Sequence, residues 1–315
     1  MEQLNKYQIR TISSHISENR DKLLNINSAI IIDDIKIVDT DTEKIIIGIG
    51  GSHVYYAQVK NTEILKEDII RFSRDKENFF EYIVNYGRER LYITDKTDKL
   101  NIIFSYPFIA KRLNGYIDGI YKKIDIVSKE IPFINASFSI NEKFRKIINQ
   151  DIKINVVNDA VASNIYNYYK NPNYDTYISV LSGTGVNLSY IKDGFFINSE
   201  VGRLEMSNLE SGLNESRLIG TSSSGGKLLE EYISYKALSK YDLSYVEIAS
   251  IAASYTTALI IAFTNKYQNT SLLGQGSFIT KNSIFYERLT NGLKDYKNIF
   301  ISKDNKADIK GASLL

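Results

Sequence analysis

Short apolar runs bounded by glycine, asparagine or aspartate recur along this chain, with stretches of helical spacing between them. In the first half the pattern predicts a helix over residues 3–24 and strand material over 29–38. Two strands, 44–49 and 54–59, then flank Gly50-Gly51-Ser52 as a hairpin. Helical spacing over 77–91, a strand over 101–105, a helix over 141–149 and a strand over 152–157 follow. The second half repeats this order: strand 176–181, a glycine turn, strands 188–191 and 195–198, helices 224–238 and 244–265, strand 270–274, helix 284–293 and strand 299–302. A strand hairpin followed by alternating helices and strands in each half predicts two mixed-sheet α/β domains. No proline-rich or low-complexity linker separates them, so the boundary at 157/158 reads as a hinge.

Composition narrows this picture without changing it. A length of 315 residues suits about two domains, and 43% apolar content supplies two cores. The 39 basic and 37 acidic residues leave a net charge of +2, which gives no footprint for nucleic acid or an anionic membrane. There is no cysteine, so disulfides and thiolate metal sites are excluded. Residues 1–24 are charged throughout, unlike a signal peptide, and the apolar stretch 248–263 is interrupted by Ser250, Ser254, Thr256 and Thr257. The expectation is a soluble, cytoplasmic protein, monomeric or homodimeric, with no nucleic-acid or membrane partner.

The chemistry concentrates at two places. Asn158-Asp159 closes the apolar run 152–157, and Ser182-Gly183-Thr184-Gly185-Val186-Asn187 follows about two dozen residues later. A carboxylate at the end of a buried strand can accept a hydroxyl proton, and a glycine turn lets backbone N–H groups approach phosphate oxygens. Taken singly, such an aspartate also reads as a helix cap and such a turn as a plain hairpin. Gly48-Ile49-Gly50-Gly51-Ser52-His53 is a second turn of the same shape about 130 residues upstream, and the combination reads as a phosphoryl-transfer site.

From about residue 40 onward the chain resembles the hexokinase family, within the superfamily that also holds actin and the sugar kinases. Phe104-Ser105-Tyr106-Pro107 is similar to that family's Phe-Ser-Phe-Pro sugar segment, and residues 115–122 have the spacing of Gly-x-Leu-x-x-Trp-Thr-Lys. Asn158-Asp159 resembles Asn-Asp-Thr-Val, and residues 182–187 resemble Gly-Thr-Gly-Val-Asn. Ile197-Asn198-Ser199-Glu200-Val201-Gly202 is similar to Ile-Asn-x-Glu-Trp-Gly, Ser223-Ser224-Gly225 with Leu228 and Glu230 to Ser-Ser-Gly-x-Tyr-Leu-Gly-Glu, and Gly274-Gln275-Gly276-Ser277 to Val-Asp-Gly-Ser.

The resemblance implies two actin-like (ribonuclease H-like) domains with mixed five-stranded sheets facing across a cleft. Residues 1–157 would carry the first phosphate hairpin and the sugar segment. Residues 158–315 would carry the catalytic aspartate, the second hairpin and the adenosine motif. It implies ATP-dependent phosphorylation of a hexose, glucose or a relative, at the 6-hydroxyl, with ATP and Mg2+ required. Asp159 would be the general base, and Ser105, Lys122, Asn158, Asn187 and Glu200 would hold the other hydroxyls. Gly50, Gly51, Ser52, Gly183 and Thr184 would cradle phosphates, with Gly276 and Ser277 against the adenosine. No residue is assigned to metal, because Gly48 stands where the family carries the aspartate that holds the hydrated ion. Gly220 replaces a second sugar carboxylate, Tyr121 a sugar-binding threonine, Ala160 the threonine after the base and Gln275 the aspartate of Val-Asp-Gly-Ser. These departures keep open a second reading, a hexokinase-like sensor that binds sugar or nucleotide with little or no turnover.

Overall fold

The computed structural model describes residues 4–19, 25–31, 42–50, 53–71, 78–106, 108–113, 116–121, 137–148, 151–183, 185–206, 228–264 and 268–315. In chain order the elements are α1 (Lys6–Asn19), β1 (Asn25–Ile31), β2 (Lys44–Ile49), β3 (His53–Lys60), β4 (Glu63–Arg71), α2 (Phe79–Glu89), β5 (Lys99–Phe104), β6 (Phe108–Leu113), β7 (Tyr116–Tyr121), β8 (Phe138–Ser139), α3 (Ile140–Ile147), β9 (Lys153–Val157) and α4 (Asp159–Lys170). They continue with β10 (Thr176–Ser182), β11 (Val186–Lys192), β12 (Phe195–Asn198), α5 (Leu229–Ile233), α6 (Tyr235–Leu238), α7 (Tyr245–Phe263), β13 (Thr270–Gln275), α8 (Ser277–Lys281), α9 (Ser283–Gly292), β14 (Ile299–Lys303) and α10 (Ala307–Ala312).

The chain packs as two units that do not follow its halves. One comprises Ile26–Tyr169, Gly194–Phe196 and Lys306–Leu315; the other comprises Met1–Asn25, Lys170–Asp193 and Ile197–Asn305. Asp159 and most of α4 thus pack with the strands that precede them, and the chain's final helix returns to the same unit.

In the first unit the sheet order is β4-β3-β2-β5-β9. The hairpin strands β2 and β3 run antiparallel, while β2, β5 and β9 are mutually parallel, with Ile49 opposite Phe104 and Ile103 opposite Val157. Alternating apolar positions of these strands meet α2 and α3 in a core that contains Ile47, Val54, Tyr56, Phe80, Val84, Ile102, Phe104 and Phe144. A separate three-stranded sheet, β6-β7-β8, leads into α3. There the Ser139 hydroxyl accepts from Glu142 N at the start of α3 and donates to the buried Asp118 carboxylate at 2.9 Å. Gly119 lies where a Cβ would come within 2.7 Å of Val156, so β7 and β9 can approach only because a side chain is missing there.

The other sheet runs β1-β12-β11-β10-β13-β14. Its β10–β11 pair is antiparallel, and β10, β13 and β14 are parallel, with Leu181 opposite Gln275. The expected five strands therefore hold for one sheet and become six in the other. Helix α7 is long and apolar enough to cross a membrane, contrary to the expectation that its hydroxyls make it fall short; 83% of its apolar window is buried inside the protein. Ser250, Ser254 and Thr257 donate to backbone carbonyls four residues earlier, at 2.7 to 2.9 Å, so their polarity is satisfied within the helix. A capping box between Ser244 and Glu247 starts it.

The sequence pattern missed β4, β6, β7 and β8 and the helices α4, α8 and α10. Strand β4 alternates exposed and half-buried positions at a sheet edge and carries five charges, so its period is masked. The helix expected over 224–238 begins, within the described residues, at Leu229 and breaks at Ser234, whose hydroxyl accepts from Ala237 N and caps α6 instead.

Candidate active site

The C-terminal edge of the first sheet collects one set of candidate residues. Because β2, β5 and β9 are parallel neighbours, the residues that follow them, Gly50, Ser105 and Asn158-Asp159, emerge side by side, where open α/β sheets hold their ligands. The turn of the first hairpin closes through Gly50 N to His53 O at 3.0 Å, and Ser105 N donates to Ile49 O at 3.1 Å. Tyr106, buried beneath this edge, donates its hydroxyl to Gly50 O at 2.9 Å. A Cβ on Gly50 would meet only His53 O at 3.5 Å, so packing does not demand glycine there.

Asn158 caps α4: its Oδ1 accepts from Ala160 N at 3.0 Å. Asp159, the first helical residue, is half-buried, and its Oδ1 accepts from the same N–H at 2.8 Å. Burial pushes its carboxyl above the usual aspartate range; a hydrogen bond from the Ser105 hydroxyl and the Ala160 N–H oppose this without cancelling it. The result is a hydrogen-bonded carboxylate with raised proton affinity at the end of a strand, the state a general base requires. Glycine stands at position 48, and a Cβ there would be 3.5 Å from that of Tyr55 and 4.0 Å from that of Ile103.

In the second unit the corresponding edge joins the second glycine turn to Gly276 and Ser277. Gly183 N donates to Gly185 O at 3.0 Å, and β10 lies in register with β13, so Gly183 and Gly276 follow neighbouring parallel strands. Gly276 has φ +93°, and a Cβ on it would fall 2.2 Å from Ser182 O, so a side chain here would separate the two loops. Beside Gly183 there is space instead: a Cβ would meet only Ser277 Oγ at 3.9 Å and its N at 4.0 Å. A cavity of about 250 Å3 opens beside these residues. Tyr235, Tyr245 and Phe278 supply its aromatic wall, and Lys236, Lys281 and Asn282 its polar one. Nothing in the spacing of Tyr235 and Tyr245 along the sequence marks them for this place.

Asn187 and Glu200 lie on the same unit. Asn187 is half-buried on β11, its Oδ1 accepting from Leu188 N at 2.8 Å. Glu200 has φ +45° and is held by Asn198 Nδ2 at 2.6 Å, with Arg203 Nε at 3.9 Å. Glu230, quoted from sequence only as part of a motif, stands beside this group: a Cβ on Gly185 would be 3.4 Å from its Oε1 and one on Gly202 3.2 Å from its Oε2. Burial raises the Glu230 carboxyl above its ordinary value, Arg203 and Lys236 lower it, and Glu200 raises it. Gly51, Ser52, Lys122, Thr184 and Gly220 lie outside the described residues. Among the described residues no group of three or more His, Cys, Asp or Glu could hold a metal ion.

This strand order, met in two units with glycine turns at corresponding edges, is the fold of hexokinases and ROK-family sugar kinases. The structure is similar to that of Schistosoma mansoni hexokinase complexed with glucose, with a TM-score of 0.67 and 14% identity over 98% of this chain and 96% of that one. It is also similar to a ROK-family glucokinase from Streptomyces griseus in complex with glucose and AMPPNP, with a TM-score of 0.60 and 14% identity over 86% of this chain and 98% of that one. A ROK-family transcriptional regulator, a homologue of the E. coli Mlc protein, matches with a TM-score of 0.59 and 14% identity over 86% of this chain and 77% of that one. No protein-family model matches the chain, and no curated protein matches it in sequence.

Proposed function

We propose that the protein is an ATP-dependent hexose kinase that transfers the terminal phosphate of ATP to the 6-hydroxyl of glucose or a related sugar. The observation that carries this reading is Asp159: a carboxylate at the end of a parallel strand, bonded by Ser105 and pushed up in pKa by burial. It would take the proton of the attacking hydroxyl, while Ser105 holds the carboxylate in place and the adjacent Asn158 fixes a neighbouring hydroxyl. Gly50 and Gly183, which packing leaves open, would admit phosphate oxygens against the backbone. The glucose and AMPPNP held by structures of this fold support a hexose and an adenine nucleotide as the ligands.

Magnesium fits the described residues poorly. The end of β2 offers Gly48 in place of a carboxylate, and no acidic cluster compensates among the described residues. Magnesium would therefore enter as the complex of the nucleotide phosphates, with few protein ligands of its own. The same glycine favours the second reading, a sugar or nucleotide sensor of weak or absent turnover, and the fold is shared by a transcriptional regulator.

A coupled assay decides between them: ATP, GTP, pyrophosphate and polyphosphate against a hexose panel with magnesium, the product identified by phosphorus NMR. Hexose-dependent formation of a 6-phosphate, lost in Asp159→Asn, supports the kinase. Glucose binding by calorimetry without transfer from any donor would establish the sensor.

A further inference from the structure

Where the resembling family carries a metal-holding aspartate, this chain has Gly48 and, on the same face of the sheet, a lysine. Gly48 and Tyr55 lie opposite each other across β2 and β3, and a Cβ at 48 would be 3.5 Å from that of Tyr55. Lys306 rests on this tyrosine, its Nζ 4.2 Å from the ring centroid and 2.6 Å from the hydroxyl oxygen. The same Nζ is 2.8 Å from Glu67 Oε2 on β4, and the Tyr55 hydroxyl donates to that oxygen too. Hydrogen bonds from Lys306 and then from Tyr55 hold the Glu67 carboxyl below its ordinary range, so the pair is charged at neutral pH.

The position of the ammonium is set by the helix that follows it. Lys306 directly precedes α10, and the other end of α10 is tied to the same sheet face, where Asn101 Nδ2 donates to Ala312 O at 2.7 Å and Lys99 Nζ to Leu315 O at 2.9 Å. Its pairing with Glu67, by contrast, is shallow: the two side chains are 29% and 47% exposed. An exposed ion pair contributes little to folding, so an anion of higher charge can take the ammonium from Glu67 at small cost. With the Glu67 carboxylate already engaged by a cation, this face suits an anion better than a metal ion. A lysine also needs no fixed coordination geometry, being a compact charge with rotatable donors.

We infer that Lys306 is a phosphate-binding residue, its ammonium moving from Glu67 to the oxygens of a triphosphate chain at the turn beyond Gly50 and supplying part of the positive charge that a protein-held metal would bring. The recognised chemistry is the polyphosphate itself, free or as the tail of a nucleotide. The kinase reading supplies only the use of those phosphates, and their binding by Lys306 stands or falls separately.

The test is calorimetric titration of ATP and of tripolyphosphate into the full chain, in EDTA and again with magnesium. Both ligands are expected to bind in EDTA, and Lys306→Gln should weaken that binding about tenfold for each, while Lys306→Arg keeps it within about threefold. Glu67→Gln removes the competing carboxylate and should tighten metal-free binding about threefold in the wild type and leave it unchanged in the Lys306→Gln background. An ion pair that served only the fold would make both single variants act in the same direction. In Gly48→Asp/Lys306→Gln the lost affinity should return with magnesium and stay lost in EDTA. Equal metal-free affinity of the wild type and Lys306→Gln, a Glu67→Gln effect that persists without Lys306, a loss seen for ATP but not for tripolyphosphate, or no binding of either ligand overturns the assignment. Phosphate binding of the expected pattern without hexose phosphorylation would sink the kinase reading alone. Hexose phosphorylation from a donor whose affinity is indifferent to Lys306 would sink the lysine's role alone.

Discussion

Both sheets set the first strand of a glycine hairpin between its two successors on one side and two parallel strands on the other, in the orders β4-β3-β2-β5-β9 and β12-β11-β10-β13-β14, the second extended by β1 beside β12. Their C-terminal edges nevertheless carry different side chains. In the first unit the edge ends in Ser105 and Asp159, a hydroxyl bonded to a carboxylate whose proton affinity is raised. In the second it ends in Gly183 and Gly276, with an aromatic and cationic cavity beside them and no carboxylate among the described residues that line it. One topology delivers loops to one place in each unit, and the side chains on those loops decide what chemistry that place can hold.

The sharpest way to break this division of labour is to remove the carboxylate. Asp159→Asn is expected to lower turnover by about 100-fold or more with hexose affinity changed only a few-fold, measured by coupled assay and calorimetry. The same variant tests the burial cost. A carboxyl whose folded pKa is raised contributes stability that is fully present below its unfolded pKa and lost as pH rises through the folded one. Asparagine carries no such loss, so at pH 8 the variant should melt about 2 °C or more above the wild type, and the gap should close as pH falls below 4. A variant that melts lower at pH 8 would show that the carboxylate is stabilised in its charged form.

Next in size is a contrast between the glycines of the two edges. Gly276→Ala, where φ is +93° and the new Cβ would lie 2.2 Å from Ser182 O, is expected to cost about 2–4 kcal/mol in denaturant unfolding. Gly50→Ala, which meets only His53 O at 3.5 Å, should cost under about 1 kcal/mol while weakening any phosphate contact at that turn. Equal costs would mean that the two edges are not distinguished by packing.

A smaller effect belongs to Ser105, whose hydroxyl favours the charged form of Asp159. In Ser105→Ala the acidic limb of the kcat/KM profile should move to higher pH, lowering activity about tenfold on that limb and less on the plateau. The smallest is at β2. Gly48→Asp adds a carboxylate where the backbone leaves space for a Cβ, and the magnesium concentration for half-maximal rate should fall about threefold.

What the sequence determined by itself was local. Glycine turns and short β-branched runs fixed the two hairpins and strands β5, β9, β10 and β13 to within a residue or two. The motif order identified the fold and nominated Ser105, Asp159, Gly183 and Gly276 before any contact was visible. Tertiary structure alone decided what those residues meet, because neighbours across parallel strands are separated by about 50 residues of chain and sheet register is not written locally. It also decided that α4 and the C-terminal helix pack in the first unit, where a Cβ on Gly311 would lie 1.7 Å from Ala162 O. It alone brought Tyr235, Tyr245 and Asn282 around one cavity, since aromatic rings and amides carry no periodic signal and acquire a role only through the groups that packing sets beside them.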